Sequence, residues 1–377
     1  MSRQFLLRGL DGANPLGFLA TLGVLVTLDR SGERHARIAW VRRQTWVPVL
    51  DQVKAASEED LSKIVADGLR GRAVSEEAER RLEAVRKAMD ATKTELRKKR
   101  VEIRRRPLTA AKRREARDRE LRPLEEKLAD LREQYARVLL EAAPRVELAL
   151  GKRIKDATGE HYRQLAQGLL ETADVANRDE LDQLAALGSD GCLRNGQLLP
   201  TSFEFTRGSG HQLFLEDVRK LLHKVTPQRV HECLFEPWAY RDEGLSLRWD
   251  PIEDRRYALL DRDPSEEGSR TVWMANLLAY RGLALLPSAP TSHGLATAGW
   301  EPSQETFTWP LWNAPLGIAA VKSALWMREL VEEKPDRAVL VARGVCVAFR
   351  VRRIEVGTGG NRKVNFTCAG VAVSARC

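Results

Sequence analysis

A short apolar run, "QFLLRGL", predicts a strand near the start of the chain. The segment "DGANPLGFLATLGVLVTLDRSG" follows, and its apolar residues, among them Leu16, Leu19, Leu22 and Val26, recur at helical spacing. Asp11 or Asn14 can cap this helix, Pro15 suits its first turn, and Gly32 stands where it should stop. The density of apolar positions predicts a buried helix. In "ARIAWVRRQTWVPVL" alternation and β-branched residues predict a strand ending near Pro48. Another helix is predicted over residues 51–72.

Between residues 75 and 150 the pattern changes to Ala, Glu, Lys, Leu and Arg with almost no Gly. Ser75, followed by Glu77 and Glu79, marks a helix start. Leu82, Val85, Met89, Leu96 and Ile103 form a thin apolar stripe. "RRRPLTAAK" interrupts it, because Pro107 disfavours helix at Arg106 and Thr109 can cap a new helix. The second helix carries Leu121, Leu124, Leu128, Leu131, Tyr135 and Val138 or Leu139, with a kink or late start expected at Pro123. Two long helices joined by a short turn make an antiparallel hairpin whose tip holds the densest basic residues.

Beyond the hairpin, helices are predicted at "HYRQLAQGLLETA", at residues 179–187, at "HQLFLEDVRKLLHKV", at "SRTVWMANLLAYRGLALL" and from Leu316 to about Glu333. Strands are predicted at "TSFEFTRG", "TFTWPLWNAP", "AVLVARGVCVAFRVRRIEVG" and "NFTCAGVAVSA". The pattern is neither repeated nor regularly βαβ, so the expected fold class is α+β. The expected organisation is a mixed globular body (1–74 and 156–377) with a long, basic antiparallel helical hairpin (75–155) inserted.

Charge sharpens this division. The chain of 377 residues carries a net charge of +9 with a pI of about 9.4, which favours a polyanionic partner. Residues 76–155 contain 25 Lys and Arg against 16 Asp and Glu, so this one segment holds the whole excess. All nine Trp lie outside it. No apolar run reaches the roughly 18 residues of a membrane span, and the N-terminus lacks the pattern of a secretion signal. No membrane partner is expected. Five scattered cysteines suit reduced thiols, so a cytoplasmic location is expected.

Candidate chemistry is sparse. His231 and Cys233 lie two apart, but no second pair stands at zinc spacing, so no metal is expected. "GTGGNRK" at 357–363 reads as a hairpin turn in which Arg362 and Lys363 can touch phosphate. In "WDPIEDRR" the acids Glu253 and Asp254 are followed at once by arginines, which suits salt-bridged structure. No catalytic residue and no cofactor is expected, and the chain does not read as an enzyme.

The basic tip is different. "RKKRVEIRRR" supplies Arg97, Lys98, Lys99, Arg100, Arg104, Arg105 and Arg106, and "KRREARDRELR" adds Lys112, Arg113, Arg114 and Arg117. Like charges this dense repel, and a polyanion relieves the repulsion by releasing counterions. No aromatic residue lies among them, so contact with phosphates rather than bases is expected. The competing reading is a solvated helix pair supported by its own Glu–Lys and Glu–Arg pairs.

Several separated segments carry a resemblance. They are "LDGANPLGFLATLGVL" (10–25), "FTRGSGHQLFL" (205–215), "LRWDPIEDRRYAL" (247–259), "ANLLAYRGLALLP" (275–287) and "FTWPLWNAPL" (307–316). Together, in this order, they resemble a large-subunit family of the type I-U CRISPR effector complex, a subtype also called I-G. The resemblance covers most of the chain apart from the hairpin. It implies a non-catalytic subunit of a Cascade-like complex, with double-stranded target DNA, guide RNA, other effector subunits and a helicase–nuclease as partners. It also implies recognition of a short protospacer-adjacent motif. The "GSGHQ" loop then offers Arg207, His211 and Gln212 to the duplex, Gln being able to read adenine; Gln212 as a helix cap is the alternative. Two other readings stay open: a nucleic-acid-binding or scaffold protein whose hairpin is a protein–protein coiled coil, and an enzyme of nucleic-acid metabolism.

Overall fold

The computed structural model describes residues 3–172, 178–205, 213–254, 270–356 and 363–374. The fold is mixed α+β. It divides into two compact units, one made of Met1–Gly71 with Lys152–Cys377 and the other of Arg72–Gly151. No helix among the described residues is long and apolar enough to cross a membrane.

The elements run as follows. The body begins with β1 (Arg3–Leu6), α1 (Pro15–Arg30), β2 (Arg37–Arg42), β3 (Trp46–Val53) and α2 (Glu58–Leu69). The second unit holds α3 (Glu76–Arg105), α4 (Ala110–Glu120) and α5 (Arg122–Ala142). The body resumes with α6 (Gly159–Glu171), α7 (Arg178–Leu187), β4 (Leu193–Arg194), β5 (Gln197–Leu198), α8 (Phe214–Leu222) and α9 (Pro227–Phe235). Next come β6 (Asp242–Glu243), β7 (Arg270–Thr271), α10 (Trp273–Gly282), β8 (Ser288–Thr291) and β9 (Gly294–Thr297). The chain closes with β10 (Trp300–Glu301), β11 (Thr306–Trp312), α11 (Ile318–Leu325), α12 (Arg337–Ala342), β12 (Val345–Val356), β13 (Lys363–Phe366) and β14 (Gly370–Ser374). The larger sheets are antiparallel, with strand orders β1-β3-β2 and β10-β11-β12-β13, β14 also pairing with β12.

Helix α1 is where local signals and burial agree. Asn14 caps it, its side-chain oxygen accepting from the Leu16 and Gly17 amides, and every residue from Pro15 to Leu28 is buried. A helix with no polar face needs cover all round, and α10 supplies the longest contact. The two backbones touch. A Cβ on Gly23 would lie 1.7 Å from the Leu278 carbonyl oxygen, and one on Gly282 would lie 2.3 Å from that of Leu19.

The segments quoted above meet around this crossing. Asn14 donates from Nδ2 to Asp250 at 3.0 Å, and Tyr240 donates to the other Asp250 oxygen at 2.7 Å. Asn276 accepts from the Leu247 amide at 2.8 Å. The Trp309 indole donates to the Gly12 carbonyl at 2.8 Å, and Trp249 donates to that of Phe203 at 3.0 Å. An aromatic layer of Trp40, Phe18, Trp309, Phe307 and Phe203 packs through them, with ring centroids 4.9–5.9 Å apart.

Several expectations need correction. Residues 201–205 of "TSFEFTRG" form a turn rather than a strand, and the helix expected from Leu316 to about Glu333 runs only over Ile318–Leu325. Residues 37–53 form two strands rather than one, joined by the turn Arg43–Gln44–Thr45. Pro48 lies inside the central strand β3 opposite Trp40; it has no N–H to leave unpaired, and its carbonyl accepts from the Leu7 amide. Residues 51–53 belong to β3, so the helix expected from 51 begins at Glu58, capped by Ser57. "AVLVA" is helical as α12 because Asp336 accepts from the Ala338 and Val339 amides. Finally, Cys192, Cys233 and Cys368 are free, but Cys346 is disulfide-bonded. Reduced thiols throughout therefore do not hold.

Gly23→Ala should cost about 3 kcal/mol or more, because the obstructing atom is backbone and cannot move aside as a side chain would. Gly32, with φ +88° and open space around it, should cost only about 1–2 kcal/mol when changed to Ala, from left-handed strain alone. Urea midpoints of the two variants should separate accordingly.

Candidate nucleic-acid interface

The Arg72–Gly151 unit builds its own core. Val85, Met89, Leu96 and Ile103 of α3 pack with Leu121, Leu128 and Val138, and Leu82, Leu124, Leu131 and Tyr135 pack against this cluster. Ion pairs mark the register: Arg81–Glu141 at 2.7 Å, Arg100–Glu125 at 2.8 Å and Arg106–Glu120 at 2.5 Å. Partner numbers fall as α3 advances, so α5 runs antiparallel to it. Arg106 ends α3 with extended backbone, φ −70° and ψ 135°, as the following Pro107 demands. Thr109 caps α4 by accepting from the Lys112 amide. Pro123 is the second residue of α5, where its missing N–H leaves no helical bond unmade.

The eleven basic residues singled out at the tip fall into two groups. Lys99, Arg100 and Arg106 are paired. Lys99 lies 3.6 Å from Glu102 and 3.9 Å from Glu120, and Arg106 also reaches Glu102 at 3.9 Å. Arg97, Lys98, Arg104, Arg105, Lys112, Arg113, Arg114 and Arg117 are all exposed, and none forms an ion pair with a described carboxylate. Lys98 and Arg105 stand seven residues apart, as do Arg97 and Arg104, so each pair projects from one side of α3. Arg113, Arg114 and Arg117 line a cleft of about 580 Å³ with Ala110, Asp118, Leu121, Arg122 and Glu125. Arg122 was not among the sequence candidates. It continues the helical face of Arg114 and Asp118 at intervals of four, which is the signal that could have found it. It also pairs with Glu126 at 2.9 Å.

Paired charges shift each other. The Arg106 guanidinium, hydrogen-bonded to Glu120, holds that carboxyl below the usual glutamate range, with Lys99 and Arg119 adding to the effect. The same bond raises Arg106 above its ordinary value.

The remaining candidates are elsewhere. Arg207, His211, Gln212 and Arg362 lie outside the described residues. Lys363 opens β13, and its side chain is outside the described set. The described residues that flank these stretches lie close together: the Phe205 ring is 4.6 Å from that of Phe366, and β13 adjoins the 3-10 turn Pro251–Asp254. His231 contacts Ser62 at 3.4 Å and stacks near Phe235, while burial pushes the Cys233 thiol well up. Among the described residues no group of His, Cys, Asp or Glu is placed to hold a metal ion.

The clasp at the tip sets a pH dependence. Glu120 has a lower pKa folded than unfolded, so its contribution is complete above the ordinary glutamate range. It is lost as pH falls through the depressed value. Protection factors at amides 102–122, that is, exchange rates corrected for their intrinsic pH dependence, should therefore fall at acid pH, and Glu120→Gln should show lower protection at neutral pH and a flatter profile on acidification. Identical pH profiles for the two proteins would show that the clasp does not hold the tip.

Comparison of the chain with protein-family models, with curated proteins and with solved structures finds no match in any of the three.

Proposed function

We propose that this chain is the non-catalytic large subunit of an RNA-guided CRISPR surveillance complex of the I-U (I-G) kind, and that the hairpin tip holds the phosphates of target DNA. The observation that carries the reading is the set of eight exposed cations, Arg97, Lys98, Arg104, Arg105, Lys112, Arg113, Arg114 and Arg117, with no described acid paired to them. A protein alone gains nothing from such crowding. A polyanion offsets the repulsion and releases its own counterions.

The hairpin's apolar stripe is spent internally. Its exposed large hydrophobic residues are Val101 and Leu140, too few for the repeated seam of a protein–protein coiled coil. This favours phosphate contact over the scaffold reading. The quoted segments support the family part of the proposal, because they contact one another: 10–25 bonds to 247–259 and 307–316, 247–259 bonds to 275–287, and Phe214 of 205–215 packs its ring against Trp249 and Tyr280. In this reading double-stranded target DNA is the ligand, with guide RNA, other effector subunits and a helicase–nuclease as partners. The 205–215 segment, with Arg207, His211 and Gln212, contributes to sensing the short duplex motif, and Arg362 and Lys363 touch phosphate.

Two measurements test it. Co-expression with a guide RNA and the neighbouring effector subunits should yield a complex containing this chain; purification of the chain alone under those conditions would overturn the complex. In that complex, Arg97→Gln, Lys98→Gln, Arg104→Gln and Arg105→Gln together should flatten the slope of log affinity against log salt. With four phosphate contacts at about 0.9 each, the change should be roughly three to four units. The paired residues Lys99, Arg100 and Arg106 stay intact, so the hairpin should keep its fold, and preference between DNA sequences should not change. An unchanged salt slope would assign the tip to something other than DNA.

A further inference from the structure

The hairpin tip offers charge without aromatic surface. A different exposed element, in the body, offers both. Strands β2 and β3 are joined by Arg43–Gln44–Thr45, closed by a hydrogen bond from the Arg43 amide to the Thr45 carbonyl at 2.9 Å. Arg42, Arg43, Gln44 and Thr45 are all exposed and Trp46 is half-buried. Arg42 faces Trp46 in the strand register, and its guanidinium lies 5.9 Å from the indole centroid. Neither Arg42 nor Arg43 forms an ion pair with a described residue.

This turn is held from behind. The Gly12 amide donates to the Trp46 carbonyl at 2.7 Å. Asp11 accepts from the Trp46 amide at 3.2 Å and from the Ala13 amide at 2.9 Å with the same oxygen. Gly12 in turn receives the Trp309 indole. The segment "LDGANPLG" thus does two jobs: Asn14 caps α1, and Asp11 with Gly12 fixes the base of an exposed turn bearing two arginines without a described acid partner, a glutamine and a half-buried indole under the Arg42 guanidinium. Pinning a turn this way lowers the entropy lost when a ligand docks on it.

We propose that the β2–β3 turn is a binding element for single-stranded nucleic acid. Trp46 stacks on a base, and Arg42 and Arg43 hold the adjoining phosphates. Stacking on an aromatic ring beside a cation is the combination that single strands need, and it carries no sequence requirement. The proposal rests on the reading of the chain as a nucleic-acid binder, but not on the hairpin, and it adds a base-contacting site where the hairpin has none. Gln44 points to hydrogen bonding without being required for it.

The test uses the whole chain and a fluorescent mixed-sequence DNA oligonucleotide, intact or carrying abasic positions. Trp46→Ala should weaken binding to the intact strand about tenfold and leave duplex binding unchanged. Trp46→Phe should keep most of the affinity. On the abasic strand the wild type should lose a similar factor, and Trp46→Ala should lose nothing further. Arg43→Gln should instead reduce the salt slope by about 0.7, the single-strand value for one phosphate.

Three outcomes would overturn the proposal. They are no single-strand binding by the wild type, equal losses for Trp46→Ala on intact and abasic strands, or a Trp46→Ala defect confined to assembly with protein subunits. The four-residue hairpin variant serves as the control. If it loses duplex binding while Trp46→Ala loses no single-strand affinity, the hairpin reading stands and the turn does not. The reverse result would separate them the other way.

Discussion

The body depends on one crossing, the place where α1 and α10 bring backbone against backbone at Gly23 and Gly282. Helix α1 has no polar side, so α2, α10 and α11 must cover it. The crossing then fixes two side-chain amides, Asn14 at the head of α1 and Asn276 inside α10. Asn14 holds Asp250 and Asn276 holds the Leu247 amide, so the stretch between them is anchored at both ends. At the other end of α1, Arg30 and the fully buried Arg281 share Asp179, tying α1 and α10 to α7. The Asn276 contact is buried and the others are partly buried, and away from water an unmade bond costs more than a made one gains. The close approach is thus a packing constraint with polar consequences.

Charge is partitioned as strictly as packing. The body is close to neutral, and the excess of the whole chain resides in the hairpin segment. Within the hairpin the cations serve opposite ends. Those that reach the facing helix are neutralised and set its register, as Arg81, Arg100 and Arg106 do. Others, such as Arg80, Lys93 and Arg122, pair within their own helix, and the eight exposed cations at the tip, which form no ion pair with a described acid, stay as a repulsive surface. Such exposed pairs add little stability singly, so the apolar stripe holds the hairpin and the ion pairs choose its alignment. The same stripe decides what kind of partner the unit can take, because little apolar surface is left for a protein.

The body's exposed turn at Arg42–Trp46 obeys a different logic. Its ligand-facing groups are few, but its backbone is bonded to the start of α1. Rigidity there comes from Asp11 and Gly12, and exposure comes from a loop only three residues long. Phosphate contact at the hairpin needs numbers; base contact at the turn needs a fixed ring.

Helix α1 and the hairpin could be read from the sequence because their signals are local. Asn14 caps within three residues, the stripe from Val85 to Ile103 recurs every three or four, and Pro107 breaks the helix at its own neighbour. The fold class followed from the same patterns. What the sequence could not determine required a partner far along the chain. Pro48 reads as a strand end until Trp40 and Leu7 are placed on either side of it, and "AVLVA" reads as a strand because β-branched residues suit both states until Asp336 caps it. Which three of eleven tip cations are neutralised depended on the register of α3 against α4 and α5. The meeting of Gly12 with Trp309, 297 residues away, was invisible for the same reason: periodicity and spacing report what a residue does to its neighbours, and only the folded chain decides which distant residues become neighbours.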